Sequence, residues 1–184
     1  MEKRNIENLK VKPMVGPLHQ TEFTRRTPAW LTKKQRDRDS KIVWKLVRAW
    51  DIEKNIDKTL DIFFNNARYL SNPAYWECLR TVWVAAGSTD LAEKFRPYFE
   101  STRTCQSWFM TVEDAAKLDK MQFPLTIWRA YDRDPDQGIS WTVDREWCEA
   151  YAKAHNRQIK EMTVEREDIF AYITRRGESE IIIL

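Results

Sequence analysis

Three groups of residues in the last third of the chain carry the side chains whose types allow chemistry. An arginine lies inside an apolar strand pattern, at Trp128-Arg129-Ala130. Ser140 and Thr142 flank Trp141 on the next strand pattern. Glu178 and Glu180 stand one residue apart just before Ile181-Ile182-Ile183. Taken singly, each has a plain structural reading: an arginine in a strand marks an exposed edge or a buried ion pair, and a Glu-x-Glu marks a solvated face. Their order, with a glycine-containing loop and a helix pattern between them, is more specific. Other chemistries have little to draw on. His19 and His155 are the only histidines, too few for a histidine metal site or a Ser-His-Asp triad, and His155 ends a helix pattern, where a cationic ring suits the C-terminal dipole. Cys78, Cys105 and Cys148 are far apart with no CxxC pair, which fits reduced thiols and lacks zinc-ligand spacing. No metal is expected.

In that order the three groups resemble the ADP-ribosyltransferase superfamily, in its arginine–serine–glutamate class. That family has Tyr-Arg-Gly on a first strand, Ser-Thr-Ser on a second, and Glu-x-Glu before an apolar strand; here Trp128-Arg129-Ala130, Ser140-Trp141-Thr142 and Glu178-Ser179-Glu180 take those places. The string from Gly138 to Glu146, preceded by the strand from Pro124 to Arg129, looks like a compact version found in bacteriophage and bacterial proteins. The resemblance covers about residues 112–184 and leaves out the N-terminal helices. It implies cleavage of the bond between nicotinamide and ribose in NAD, through an oxocarbenium-like state related to that of glycoside hydrolysis. Glu180 matches the carboxylate that stabilises the developing positive charge. Glu178 matches the glutamate that binds and activates an acceptor guanidinium in arginine-modifying members. Arg129 matches the arginine whose planar fork holds the dinucleotide. Ser140 matches the serine that positions the nicotinamide-ribose and orients the glutamate, and Trp141 and Thr142 complete the nucleotide-binding triplet. Trp141 or Tyr131 is placed to stack on nicotinamide, with core packing the competing reading for either. The departures are Ala130 for the usual glycine, Trp141 for the central threonine, Thr142 for the last serine, and a gap of only eleven positions from arginine to serine.

These residues must be positioned by a small sheet. After Pro124 the pattern becomes strand-like: Leu125 to Tyr131 alternates β-branched and aromatic residues, Asp132 to Gly138 is a turn-rich loop, and Ile139 to Val143 is a second strand. A helix follows from Asp144, then strands over Ile159 to Val164, Asp168 to Ile173 and Glu180 to Leu184. Upstream, Ile42, Val43, Leu46, Val47 and Trp50 recur at helical spacing, as do Ile56, Leu60, Phe63, Phe64 and Ala67. Pro73 opens a third helix that Gly87 closes, Leu91, Phe95 and Phe99 mark a fourth, and Thr111 with Asp114 resembles a capping box for a fifth that reaches Met121. Tryptophans at helical spacing read as core. The expected organisation is α+β: an extended basic arm over 1–39, a helical region over 40–123, and a small, mostly antiparallel sheet of ADP-ribosyltransferase-like type with one main helix over 124–184, packed as one unit with the helices. Pro13, Gly16, Pro17 and Pro28 break any regular element in residues 1–28.

Charge is uneven. Residues 1–60 hold 15 Lys+Arg against 8 Asp+Glu, although the whole chain carries a net charge of only +3. A nucleic-acid partner through this basic region is one reading, with Arg25, Arg26, Lys33, Lys34, Arg36 and Arg38 tracking phosphates beside Trp30; a solvated helix is the other. With no apolar run of membrane-spanning length and no apolar stretch after the charged start, a soluble cytoplasmic protein is expected, with no membrane partner. The resemblance then implies a phage or bacterial effector, acting in the host cytoplasm if phage-encoded, that takes NAD as substrate and modifies a host macromolecule, on arginine if Glu178 keeps its family role. A non-catalytic inhibitor or adaptor built on the same fold, and an NAD glycohydrolase or nucleic-acid-directed transferase, are the alternatives.

Overall fold

The computed structural model describes residues 28–87, 91–134, 138–175 and 178–184. The first helix, α1 (Lys33–Val47), opens on a capping box: Thr32 Oγ1 accepts the Gln35 N–H, and Gln35 Oε1 accepts the Thr32 N–H. Residues 33–39, expected in the extended arm, are therefore the first two turns of this helix. The capping pair at Thr32 and Gln35 competes with the local charge density and wins, because it satisfies backbone donors that would otherwise be orphaned. Residues 1–27 of that arm, with Arg25 and Arg26, lie outside the described residues.

A π-helical turn (Arg48–Ile52) extends α1 before α2 (Ile56–Asn66), which Asn55 caps through Lys58 N–H. The third helix, α3 (Asn72–Ala86), carries Pro73 in its first turn and ends on Gly87 in the left-handed region, φ 62°. Its N-terminus is capped from a distance: the buried Asp39 of α1 accepts the Ser71 N–H at 3.1 Å. Nearly every face of α3 is covered, with Trp76, Leu79 and Val82 fully buried, so it runs through the middle of the molecule. Next come α4 (Ala92–Phe99) and α5 (Val112–Leu118), the latter ending one turn short of Met121. Thr111 Oγ1 accepts the Asp114 N–H, but the carboxylate does not return to close a box. It binds Arg80 of α3 at 2.8 Å instead.

The C-terminal third is a five-stranded antiparallel sheet, so the fold is α+β, helices first. Its strands are β1 (Leu125–Tyr131), β2 (Ser140–Thr142), β3 (Gln158–Val164), β4 (Ala171–Arg175) and β5 (Glu178–Ile182), in the order β3-β1-β2-β5-β4. Helix α6 (Arg145–Ala154) joins β2 to β3 and packs on β1 and β3; Asp144 caps it through the Trp147 N–H, and His155 ends it. The fourth strand starts three residues later than expected, because Arg166–Asp168 form a 3-10 turn closed by reciprocal Glu165 and Asp168 bonds.

Side chains alternate across each strand. One sheet face carries Ile127, Trp141, Val164, Tyr172 and Ile181 against Leu118 of α5. The other contributes Ala171, Ile173 and Ile182 to the core built by α1–α4, so helices and sheet share one apolar interior. Glu180 lies between Ile173 and Thr142 on this second face and is turned towards α3.

Candidate active site

The pairing of β2 with β5 sets Ser140 opposite Ile182, Trp141 opposite Ile181 and Thr142 opposite Glu180. Ser140, Thr142 and Glu180 therefore share one face. Ser140 Oγ donates to Glu180 Oε1 at 2.5 Å. The same oxygen accepts the indole N–H of Trp83, on α3, at 3.0 Å. Glu180 is 0% exposed and Trp83 3%, so both bonds form away from bulk water. Two donors on one carboxylate oxygen fix its position and leave little freedom to rotate.

Arg129 sits on the neighbouring strand, 9% exposed, and its Nη1 donates to the Gly138 carbonyl at 3.0 Å. Gly138 has φ +103°, and a Cβ there would lie 2.2 Å from Arg129 Nη2. Backbone conformation and guanidinium both demand glycine at this point. Among the described residues, β1 and β2 pair only at Trp128 and Thr142, so no ladder ties the strands together on the way to Gly138. Alternation from that pair roots Arg129 on the face of Ile127 and Trp141, opposite to Ser140. Its guanidinium reaches the β2 side by way of Gly138, two residues before Ser140. Ser140 and Glu180 are thus joined directly, whereas Arg129 is rooted on the other face and its guanidinium donates to the Gly138 carbonyl.

Of the remaining expected residues, Glu178 shares the Glu180 face and the others are committed elsewhere. Trp141 is 6% exposed and packed among Ile127, Tyr172 and Ile181, so its ring has no face to offer a ligand. Thr142 is equally committed: its hydroxyl donates to the Ser179 carbonyl and accepts the Asp144 N–H, tying β2 to β5 and to the start of α6. The Tyr131 hydroxyl donates to Gln158 on β3. Glu178 is half-buried on the Glu180 face and lies close enough to Cys148 for its charge to act there. Burial first, then Glu149 and Glu178, push that thiol up to about 11. Burial pushes Cys78 up as well, so neither cysteine is a ready nucleophile. No cluster of three or more His, Cys, Asp or Glu side chains fit to hold a metal is present among the described residues. Lys33, Lys34, Arg36 and Arg38 lie in the first two turns of α1, where Arg36 donates to the Leu31 carbonyl and Trp30 is 65% exposed.

Two residues of this arrangement, Trp83 and Gly138, are not marked by the sequence as candidates. Trp83 has the spacing of a core residue and is one; the signal for its second role is that a buried indole N–H needs an acceptor. Gly138 was legible only as a loop glycine. No family model, curated protein or solved structure matches the chain. Among the described residues, no helix is long and apolar enough to cross a membrane.

Proposed function

We propose that this chain is an NAD-dependent mono-ADP-ribosyltransferase, a phage or bacterial effector that modifies a host macromolecule in the cytoplasm. The observation that carries the reading is the Ser140–Glu180 hydrogen bond, which pairs the hydroxyl and carboxylate that the family resemblance assigns to one ribose. In this reading the dinucleotide lies across the seam between β1 and β2, with Arg129 on its phosphates and Ser140 and Glu180 at the nicotinamide-ribose. The bond from C1′ of the ribose to the nicotinamide nitrogen breaks, its electron pair leaves with neutral nicotinamide, and positive charge builds on the sugar. Glu180 faces that charge, and a preorganised carboxylate in a water-poor site stabilises it far more than solvent does. The acceptor nitrogen then bonds to C1′ and loses a proton to Glu178.

Incubation with labelled NAD and a bacterial lysate tests this. The parent is expected to label a target, and Glu180→Gln to lower labelling on the order of 100-fold or more, as loss of a charge-stabilising group does. Equal labelling by the two proteins would remove Glu180 from the chemistry.

One observation favours the second reading, a non-catalytic adaptor: Glu180 is fully enclosed beneath Trp83. Calorimetry separates the two, because an adaptor gives no heat of binding with NAD and a transferase does.

A further inference from the structure

We infer that Trp83, supplied by the helical layer 97 residues before Glu180, is a positioning residue for that carboxylate; the inference rests on the transferase reading. The indole N–H can only donate, and it donates to the same Oε1 that accepts Ser140 Oγ. Both donors are satisfied together only when that oxygen acts as acceptor twice, which a carboxylate oxygen does. The ring itself is held. Phe95 and Phe99 meet it edge-on, with centroids at 5.3 and 5.2 Å and interplanar angles of 88° and 87°, and neither phenylalanine is more than 1% exposed. A locked ring holds its N–H in one place, and preorganisation of this kind keeps a catalytic group aimed before substrate arrives. Ser140 approaches from the sheet and Trp83 from α3, so helices and strands each fix one coordinate of the same atom. The helical region is then part of the active site and not a separate adaptor.

Trp83→Phe removes the N–H and keeps most of the ring. The expected result, measured as nicotinamide release from NAD by the intact protein, is a fall in kcat of about 10- to 100-fold, the factor carried by a hydrogen bond to a charged group, with KM for NAD little changed. Leu118→Ala opens a cavity in the core on the other sheet face, leaving the aromatic cluster around Trp83 intact, and it is expected to lower the melting temperature while keeping kcat. A second readout is independent of activity. The Trp83 indole proton, assigned by its loss in Trp83→Phe, should exchange with deuterium far more slowly than that of the exposed Trp30 and should shift in Ser140→Ala. A parent that leaves NAD intact overturns the transferase reading and this inference with it. A parent that cleaves NAD while Trp83→Phe matches its kcat overturns the inference alone, as does a Trp83 indole proton exchanging as fast as that of Trp30.

Discussion

Glu180 is a fully buried carboxylate, and the Ser140 hydroxyl and the Trp83 indole N–H both donate to its Oε1. Burial of a carboxylate without compensation costs several kcal/mol, so the Ser140 hydroxyl and the Trp83 N–H have a structural task before any catalytic one. Arg129 is held by a different logic. Its guanidinium takes the volume that a side chain at position 138 would need, and Gly138 in turn offers its carbonyl. Gly138→Ala therefore puts a methyl 2.2 Å from Nη2 and forces a residue with a Cβ into φ +103°. The expected loss is about 1–3 kcal/mol of stability in denaturant titration and, on the proposed transferase function, a raised KM for NAD because the arginine must move. A variant as stable as the parent with unchanged KM would show that the guanidinium and the glycine do not constrain one another.

Strands and helices meet most visibly at Asp114. This residue, 3% exposed, accepts the Thr174 N–H of β4 with one oxygen and binds Arg80 of α3 with the other. The helix that carries it thus joins the sheet edge to the central helix. Asp114→Ala leaves a partly buried guanidinium and a backbone N–H without their acceptor, and about 3–5 kcal/mol of stability should go, read as a shifted urea midpoint. A change below about 1 kcal/mol would mean that water replaces the carboxylate at little cost. Much at this scale was legible beforehand. The β1 limits match the alternation of β-branched and aromatic residues from Leu125 to Tyr131, α3 is bracketed by Pro73 and Gly87, and Asp144 announces α6. What could not be read were arrangements between elements. Thr111 and Asp114 look like a local capping pair, yet the carboxylate is taken by residues 34 positions earlier and 60 positions later. The same holds for Asp39 and the start of α3. Local spacing carries no information about which distant donor competes best for a buried oxygen.

On the scale of the whole molecule, the question is why a small sheet needs the helices from Lys33 to Leu118 before it. One sheet face would leave Ala171, Ile173 and Ile182 in water, and these residues instead complete the core assembled by α1 to α4. Covering that face also encloses Glu180, since it lies between Ile173 and Thr142 in the pairing. The site residues anticipated from the chain divide along this plan. Ser140, Glu180 and Glu178 lie on the helix-covered face, Trp141 and the root of Arg129 are on the opposite one, and the Arg129 guanidinium donates to the Gly138 carbonyl before β2. Sequence order ranked these residues together; only the pleat distinguishes Ser140 from Trp141, because adjacent strand positions point to opposite sides. Nicotinamide release from NAD, compared for the parent, Glu180→Gln and Glu178→Gln, is the most direct test of the account. It predicts release by the parent, a loss on the order of 100-fold or more in Glu180→Gln, and retained release with impaired transfer to arginine in Glu178→Gln. Release by Glu180→Gln at the parent's rate, or none by the parent, would contradict it.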